Sequence, residues 1–203
     1  MFENAKWITS RNIKEWQHPS HIDPPPSPYV VRDFDINGNE KRITLSVCGL
    51  GQAAYYLNGN RLPDSLHPTQ ISDYTKSTVY NEFGLTYMVK KGKNRFGAIL
   101  AHSYLADPEN MFRMGTPRMI AQIDIEYTSG ERKSIVSNSS FFVHDSPTIF
   151  SLRRCGERYD ANLVIPDWCA PESSLDSWTP ASICASPEES SEKRSVRPSA
   201  HLM

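Results

Sequence analysis

The densest group of side chains able to bind a ligand or move a proton lies late in the chain. In "GERYDAN" the residues Glu157, Arg158, Tyr159, Asp160 and Asn162 fall within six positions. Along an extended segment side chains alternate between faces, so Glu157 and Tyr159 share one face and Arg158 and Asp160 the other. The two carboxylates then point apart unless a bulge intervenes. A hydrolytic pair needs two acids facing one bond, about 5 to 10 Å from each other. The block therefore suits two other tasks, ion pairs that fix the fold or a docking surface, and a polar lining for a ligand. Tyr55, Tyr56, Tyr74 and Tyr80 offer flat faces to a ligand, although tyrosines in a two-sheet protein are mostly half-buried with the hydroxyl reaching water.

Other chemistry finds less support. His18 and His21 flank Pro19 just before "DPPPSP", with no second ligand pair at metal spacing, and read as part of a solvated loop. The four cysteines, Cys48, Cys155, Cys169 and Cys184, form no C-x-x-C pair, so free thiols are expected. "KKGKNR", Lys90 to Arg95, brackets a glycine turn without interleaved aromatics and reads as a solvated loop rather than a nucleic-acid patch. Asn138-Ser139-Ser140 is a glycosylation sequon. No phosphate loop, G-x-S-x-G or H-E-x-x-H motif is present, so phosphoryl transfer, serine hydrolysis and zinc protease chemistry have no starting point.

The elements that must position these groups are strands. "RITLSVC" sets Ile43, Leu45 and Val47 on one face and Arg42, Thr44 and Ser46 on the other. "MIAQIDIEY" repeats the pattern: Ala121, Ile123, Ile125 and Tyr127 face one way, Gln122, Asp124 and Glu126 the other. "TSGE" then turns the chain into "RKSIVS", a predicted hairpin. Further strands are expected at "YVVRDFDI", "AAYYL", "STVYNEF", "RFGAIL", "SFFVH" and "TIFSL". In "YYLNGNRL" the Asn58-Gly59 pair favours positive φ, predicting a tight turn that carries Tyr55 and Tyr56 to a sheet rim. No sustained 3.6-residue period appears. Many short strands without intervening helices imply an all-β jelly-roll sandwich of two antiparallel sheets.

"PSHIDPPPSP" is too proline-rich for a helix or central strand, so residues 1–28 read as an extended arm laid over the body, 29–184 as the sandwich. Residues 185–203 lack large apolar side chains and read as a disordered tail or linker. Trp168 and Trp178 read as anchors that pin the final segment onto the sandwich. With 22 basic against 23 acidic residues and a net charge of −1, the chain has no electrostatic case for nucleic acid or anionic membrane. No run approaches a membrane span and "MFENAKWITS" is no secretion signal, which points to the cytoplasm.

Several words occur together in order: "AKWITS", "VVRDFDI", "VCGLGQAAYYLNGNRL", "HPTQISDYTKSTVYNEFGLTYMVKKGKNRFGAIL", "MIAQIDIEYTSGE" and "GERYDANLVIPDW". With the G-x-x-x-x-Y-x-N-G, S-D-Y, K-x-G-x-N and G-E-x-Y-D-A patterns inside them, they resemble the N-terminal domain of bacterial α-L-rhamnosidases from residue 5 to residue 183. The resemblance implies a galactose-binding-like β-sandwich that assists substrate recognition. It stands ahead of a large α/α barrel that supplies the catalytic carboxylates and cleaves terminal L-rhamnose. Implied ligands are rhamnose-containing glycosides, and the implied partner is a catalytic barrel.

The chain ends before such a barrel, so the expectation is a non-catalytic recognition or scaffold module; a split-enzyme subunit or an inactive remnant are the alternatives. Sugars are held by carboxylates, amides and arginines beside an aromatic face. Under the resemblance Glu157, Arg158, Tyr159 and Asp160, with Tyr56, Tyr74 and Tyr80, are candidate substrate-binding residues, and no catalytic residue or metal ligand is assigned. No cofactor is expected; "SDY" and "DPEN" could donate oxygens to the calcium such sandwiches often hold, but no tight acidic cluster supports it. Three departures stand out: "AHSYLAD" with Tyr104 replaces G-x-G-W-Y, Gly84-Leu85-Thr86 replaces D-V-T, and Phe141-Phe142 replace a tryptophan.

Overall fold

The computed structural model describes residues 2–10, 26–62, 78–102, 117–152, 156–185 and 196–198. The alternating segments become strands where expected. The first half contributes β1 (Ile8–Thr9), β2 (Pro28–Ile36), β3 (Glu40–Leu50), β4 (Gln52–Leu57), β5 (Asn60–Arg61), β6 (Thr78–Gly84) and β7 (Gly92–Ala101). The second contributes β8 (Arg118–Tyr127), β9 (Arg132–Val136), β10 (Phe142–Asp145), β11 (Thr148–Leu152), β12 (Gly156–Tyr159), β13 (Thr179–Pro180), β14 (Ser182–Ile183) and β15 (Val196–Pro198). One three-residue 3-10 helix, Ala161–Leu163, follows β12.

These strands build two packed sheets. The first runs β14-β1-β8-β3-β6-β15, with β9 joining β8, and the second runs β13-β10-β2-β7-β4-β5. β11 and β12 form a separate hairpin. Among the described residues all pairings are antiparallel except β15 on β6. Between the sheets lies the main core: Ile43, Leu45, Val47, Ala121, Ile123 and Ile125 from the first, Val30, Phe34, Tyr55, Phe96, Ala98 and Leu100 from the second. The apolar phases read from "RITLSVC" and "MIAQIDIEY" are the inward ones.

Burial strips the alternation from some strands because their outer faces are also covered. Along β3 it fails from Ser46 onward. There Cys48 and Leu50 join Trp7, Tyr80 and Ile120 in a second cluster that Phe2, Ala5 and Cys184 cover. On the far side Tyr29 and Val31 of β2 lie under Trp178, Trp168, Ile165 and Leu175. The tryptophans thus pin the final segment as anchors. Trp168 stacks on Tyr29 with ring centres 4.2 Å apart, and Gly97 of β7 makes room for it: a Cβ there would meet Cys169 Sγ at 2.5 Å and the Trp168 ring at 2.8 Å.

Several expectations need correction. The segment expected as an arm over the body supplies β1, which pairs with β8 and β14, and Ile8 is fully buried. Ser137 locks it in place, its Oγ accepting from Ala121 N and donating to Lys6 O. Tyr55 is not at a rim but 2% exposed in the core, because it sits on the inward phase of β4. Arg95, placed in a solvated loop by its basic neighbours, is fully buried on β7. Phe141 fills core volume with no exposure. Val196–Pro198, the described part of the expected tail, pairs in parallel with Thr78–Tyr80, which adds to that reading rather than overturning it. Tyr74, Tyr104, Cys155, His18, His21, "SDY" and "DPEN" lie outside the described residues.

Candidate functional site

The sequence-predicted block does not close around a ligand. β12 pairs with β11 across a register shift between Thr148 and Phe150, and Glu157, Arg158 and Tyr159 are all exposed. Arg158 lies over the Phe150 ring at 5.2 Å. Asp160 is occupied locally: its carboxylate caps the 3-10 helix, accepting from Asn162 N at 3.0 Å and Asn162 Nδ2 at 2.9 Å. Tyr80 is 6% exposed, with Phe2 edge-on at 5.4 Å, which leaves its ring no open face.

Two of the predicted residues do converge. Tyr56, half-buried on the outward phase of β4, meets Trp168 edge-on at 5.2 Å. Tyr159 approaches the same patch from β12. Burial first, then the nearby Tyr159 and Tyr56 phenols, push Tyr29 up to about 12.

A concavity bounded by described residues lies elsewhere, on the outward face of the first sheet. It is a groove of about 460 Å³. Its lining is the polar phase of the two alternating strands, which the register sorts into rows. In one row Glu82 stands opposite Ser46, and Ser46 opposite Gln122. In the next, Gly84 opposes Thr44, Thr44 opposes Asp124, and Asp124 opposes Ser134. In the third, Arg42 opposes Glu126 and Glu126 opposes Arg132. Directly opposed side chains stand about 5 Å apart, close enough for one ligand to touch two strands.

The two walls of the groove differ. Along β8 and β9 the polar groups are satisfied: Asp124 accepts from Gln122 Nε2 at 2.8 and 2.9 Å and from Ser134 Oγ. Phe2 N donates to Gln122 Oε1 at 2.7 Å. Glu126 pairs with Lys41 at 2.9 Å and Arg132 at 3.5 Å. The Lys41 hydrogen bond and charge, then Arg132 and Arg42, hold its carboxyl below the usual range. Along β3 and β6, by contrast, Ser46 Oγ is buried with no hydrogen-bond partner. Among the described residues no group of three or more His, Cys, Asp or Glu is arranged to hold a metal ion.

None of these groove residues was singled out from the sequence, although the signal was there. Both strands carry hydrogen-bonding side chains throughout their outward phase, which reads as solvated surface until the register aligns them. The departure at Gly84 also finds its consequence here, since it leaves one end of the middle row without a side chain. Thr86 takes over a capping task, its Oγ1 accepting from Ile43 N at 2.9 Å.

Two antiparallel sheets packed face to face, covered at their flanks and grooved on one outer face, define an all-β sandwich domain. The family model of the Alpha-L-rhamnosidase N-terminal domain matches residues 38–201, and the chain belongs to that family. An α-L-rhamnosidase of Formosa agariphila is 24% identical over 196 residues, covering 86% of this chain and 21% of its own length. The structure of an α-L-rhamnosidase from Dictyoglumus thermophilum superposes with a TM-score of 0.79 at 27% identity, over 91% of this chain and 21% of that one. A Streptomyces avermitilis α-L-rhamnosidase complexed with L-rhamnose gives a TM-score of 0.73 at 25% identity, over 81% of this chain and 16% of that one. The chain thus spans about a fifth of the length of the curated relatives it matches.

Proposed function

We propose that this domain is a non-catalytic carbohydrate-recognition and scaffold module of an α-L-rhamnosidase, a glycoside hydrolase acting on terminal L-rhamnose. Family membership supports the enzyme class, and the related Streptomyces avermitilis enzyme complexed with L-rhamnose supports the sugar. The observation that supports the non-catalytic reading is the geometry of the predicted block: Glu157 stands exposed on β12 while Asp160 is tied to Asn162, so the two form no facing pair. Glycoside cleavage by a carboxyl pair needs one acid kept protonated, its pKa raised by an apolar setting or a neighbouring negative charge. Of the described residues, Asp33 and Glu40 are raised by burial but brought below their ordinary range by hydrogen bonds, with cationic neighbours adding to this for Asp33, and Glu126 is held low by Lys41 and its other cationic neighbours, so none of these three is kept protonated.

The test has two measurements on the full chain. Titration with L-rhamnose and rhamnosyl glycosides is expected to show millimolar binding, and incubation with a chromogenic rhamnoside no release of the chromophore. Chromophore release by the chain alone, or silence in the titration, overturns the corresponding half of the proposal.

A second reading, docking onto a separately encoded catalytic barrel, is favoured by one surface. Tyr159, Leu163 and Val164 are 57%, 46% and 43% exposed within six residues of the β11–β12 hairpin and its 3-10 turn. Co-expression with a barrel subunit decides it, since failure to co-purify and absence of glycosidase activity together defeat the docking.

A further inference from the structure

We infer that the β3–β6 wall of the outer groove is a saccharide site that grips the vicinal hydroxyls of a neutral pyranoside, an assignment that rests on the recognition role proposed above. The two walls carry the case. On the β8–β9 side each charged group has its partners, so that wall is a finished, rigid edge. On the other side the Ser46 side chain is wholly buried and its hydroxyl finds no partner. Leaving a buried hydroxyl unpaired is unfavourable, and such groups mark places where something else completes the bonding. Opposite it stands Glu82, and two positions along the same face of β3 stand Thr44 and then Arg42.

The chemistry of this wall selects its occupant. Glu82 only accepts hydrogen bonds, Arg42 only donates them, and Ser46 and Thr44 do both. A ligand that satisfies all of them must present groups that donate and accept at once, which is what hydroxyls do. Two adjacent ring hydroxyls can donate together to one carboxylate while accepting from a guanidinium. The spacing suits a pyranose: about 5 Å between opposed residues on neighbouring strands and about 7 Å between alternate residues on one strand. A groove of about 460 Å³ exceeds a single ring and falls within the usual range for small-ligand sites.

Charge argues for a neutral ligand. Glu82, Asp124 and Glu126 confront an anion, while Arg42 and Arg132 confront a cation, and both signs line the same groove.

The experiment titrates methyl α-L-rhamnopyranoside into the full chain and follows backbone amide shifts. Shifts are expected to concentrate on β3 and β6. Glu82→Gln is expected to weaken binding about tenfold, having lost a charge-assisted bond, and Ser46→Ala about fivefold. Both variants should keep the parent's unfolding midpoint. The amide map needs no variant, so it stands even if Glu82→Gln folds poorly. If the parent binds but the shifts fall on β11, β12 or the Tyr29–Trp168 patch and the groove variants bind normally, the groove assignment is overturned and the recognition role survives. If the parent binds nothing, both fall. Tighter binding of D-glucuronate than of the neutral glycoside would overturn the neutral-ligand assignment alone.

Discussion

The guanidinium of Arg95 is out of contact with water, and a charge so placed persists only with a partner. Asp33, its cross-strand neighbour on β2, accepts from both Arg95 Nε and Arg95 Nη2, the latter at 2.9 Å, and Lys93 Nζ lies 3.0 Å from the same carboxylate. Burial alone would raise the Asp33 carboxyl; the Arg95 and Lys93 hydrogen bonds and charges outweigh it and hold the group below its ordinary value of 3.8. A carboxyl depressed in the folded state adds stability that is complete above its unfolded pKa and disappears as pH falls through the folded one. Asp33→Asn, which leaves Arg95 buried beside a neutral amide, is expected to cost about 3 kcal/mol at pH 7 and to flatten the loss of stability below pH 4. Urea denaturation of both proteins across that interval measures it. "KKGKNR" could not announce this pairing, because Lys93 and Arg95 share a face of β7 and both reach Asp33, and only the covering Trp168 segment buries Arg95 while Lys93 stays half-exposed.

At the scale of elements, two turns are built by asparagines. Asn58 and Gly59 both take positive φ, 52° and 82°, as a two-residue hairpin between β4 and β5 requires. Asn58 then reaches sideways: its Oδ1 accepts from Arg95 N and its Nδ2 donates to Asn94 Oδ1, each at 2.8 Å. Asn94 closes the K-x-G-x-N turn in the same way, accepting from Lys90 N and donating to Lys90 O and Gly92 O. The two family words thus describe one joint between neighbouring hairpins. Asn94→Ala is expected to cost about 2 kcal/mol by leaving those backbone groups unpaired, a loss visible in thermal unfolding. Gly97 governs the covering segment: Gly97→Ala forces a Cβ against Cys169 and Trp168 and should cost about 2 kcal/mol. Its signature is a change in tryptophan fluorescence as Trp168 leaves Tyr29; an unaltered spectrum would show that the strap can shift without strain.

For the molecule as a whole, acid sensitivity should begin well above the carboxylate range. His102 is fully buried at the end of β7, and burial pushes its imidazole down to about 4 from 6.5. The fold therefore holds it neutral, and the associated stability is complete above pH 6.5 and lost as pH falls from there toward 4. The expected loss over that interval is about 3 kcal/mol. Urea midpoints at pH 7.5 and 4.5 test this, and His102→Gln should remove most of the difference between them. An unchanged slope in that variant would assign the acid sensitivity to other groups. Sandwich integrity also sets the groove, whose rows exist only while β6, β3, β8 and β9 keep their register.

Local sequence settled the alternating strands, the inward phases of β3 and β8, the Asn-Gly and "TSGE" turns and the tryptophan anchors, since each depends on alternation or on the φ a residue tolerates, but not short strands such as β1 and β15, which only pairing defines. Family words carried the sandwich and the α-L-rhamnosidase N-terminal domain family. What tertiary structure decided is which polar residues meet. Glu82, Ser46 and Gln122 lie up to 76 positions apart and form a row only through strand pairing, just as Asp33 finds Arg95 across 62 positions. "GERYDAN" was conspicuous because its polar groups are adjacent in sequence, yet adjacency on one strand sends them to opposite faces. A concave site needs like-facing residues from several strands, and register, which no short stretch encodes, is what supplies them.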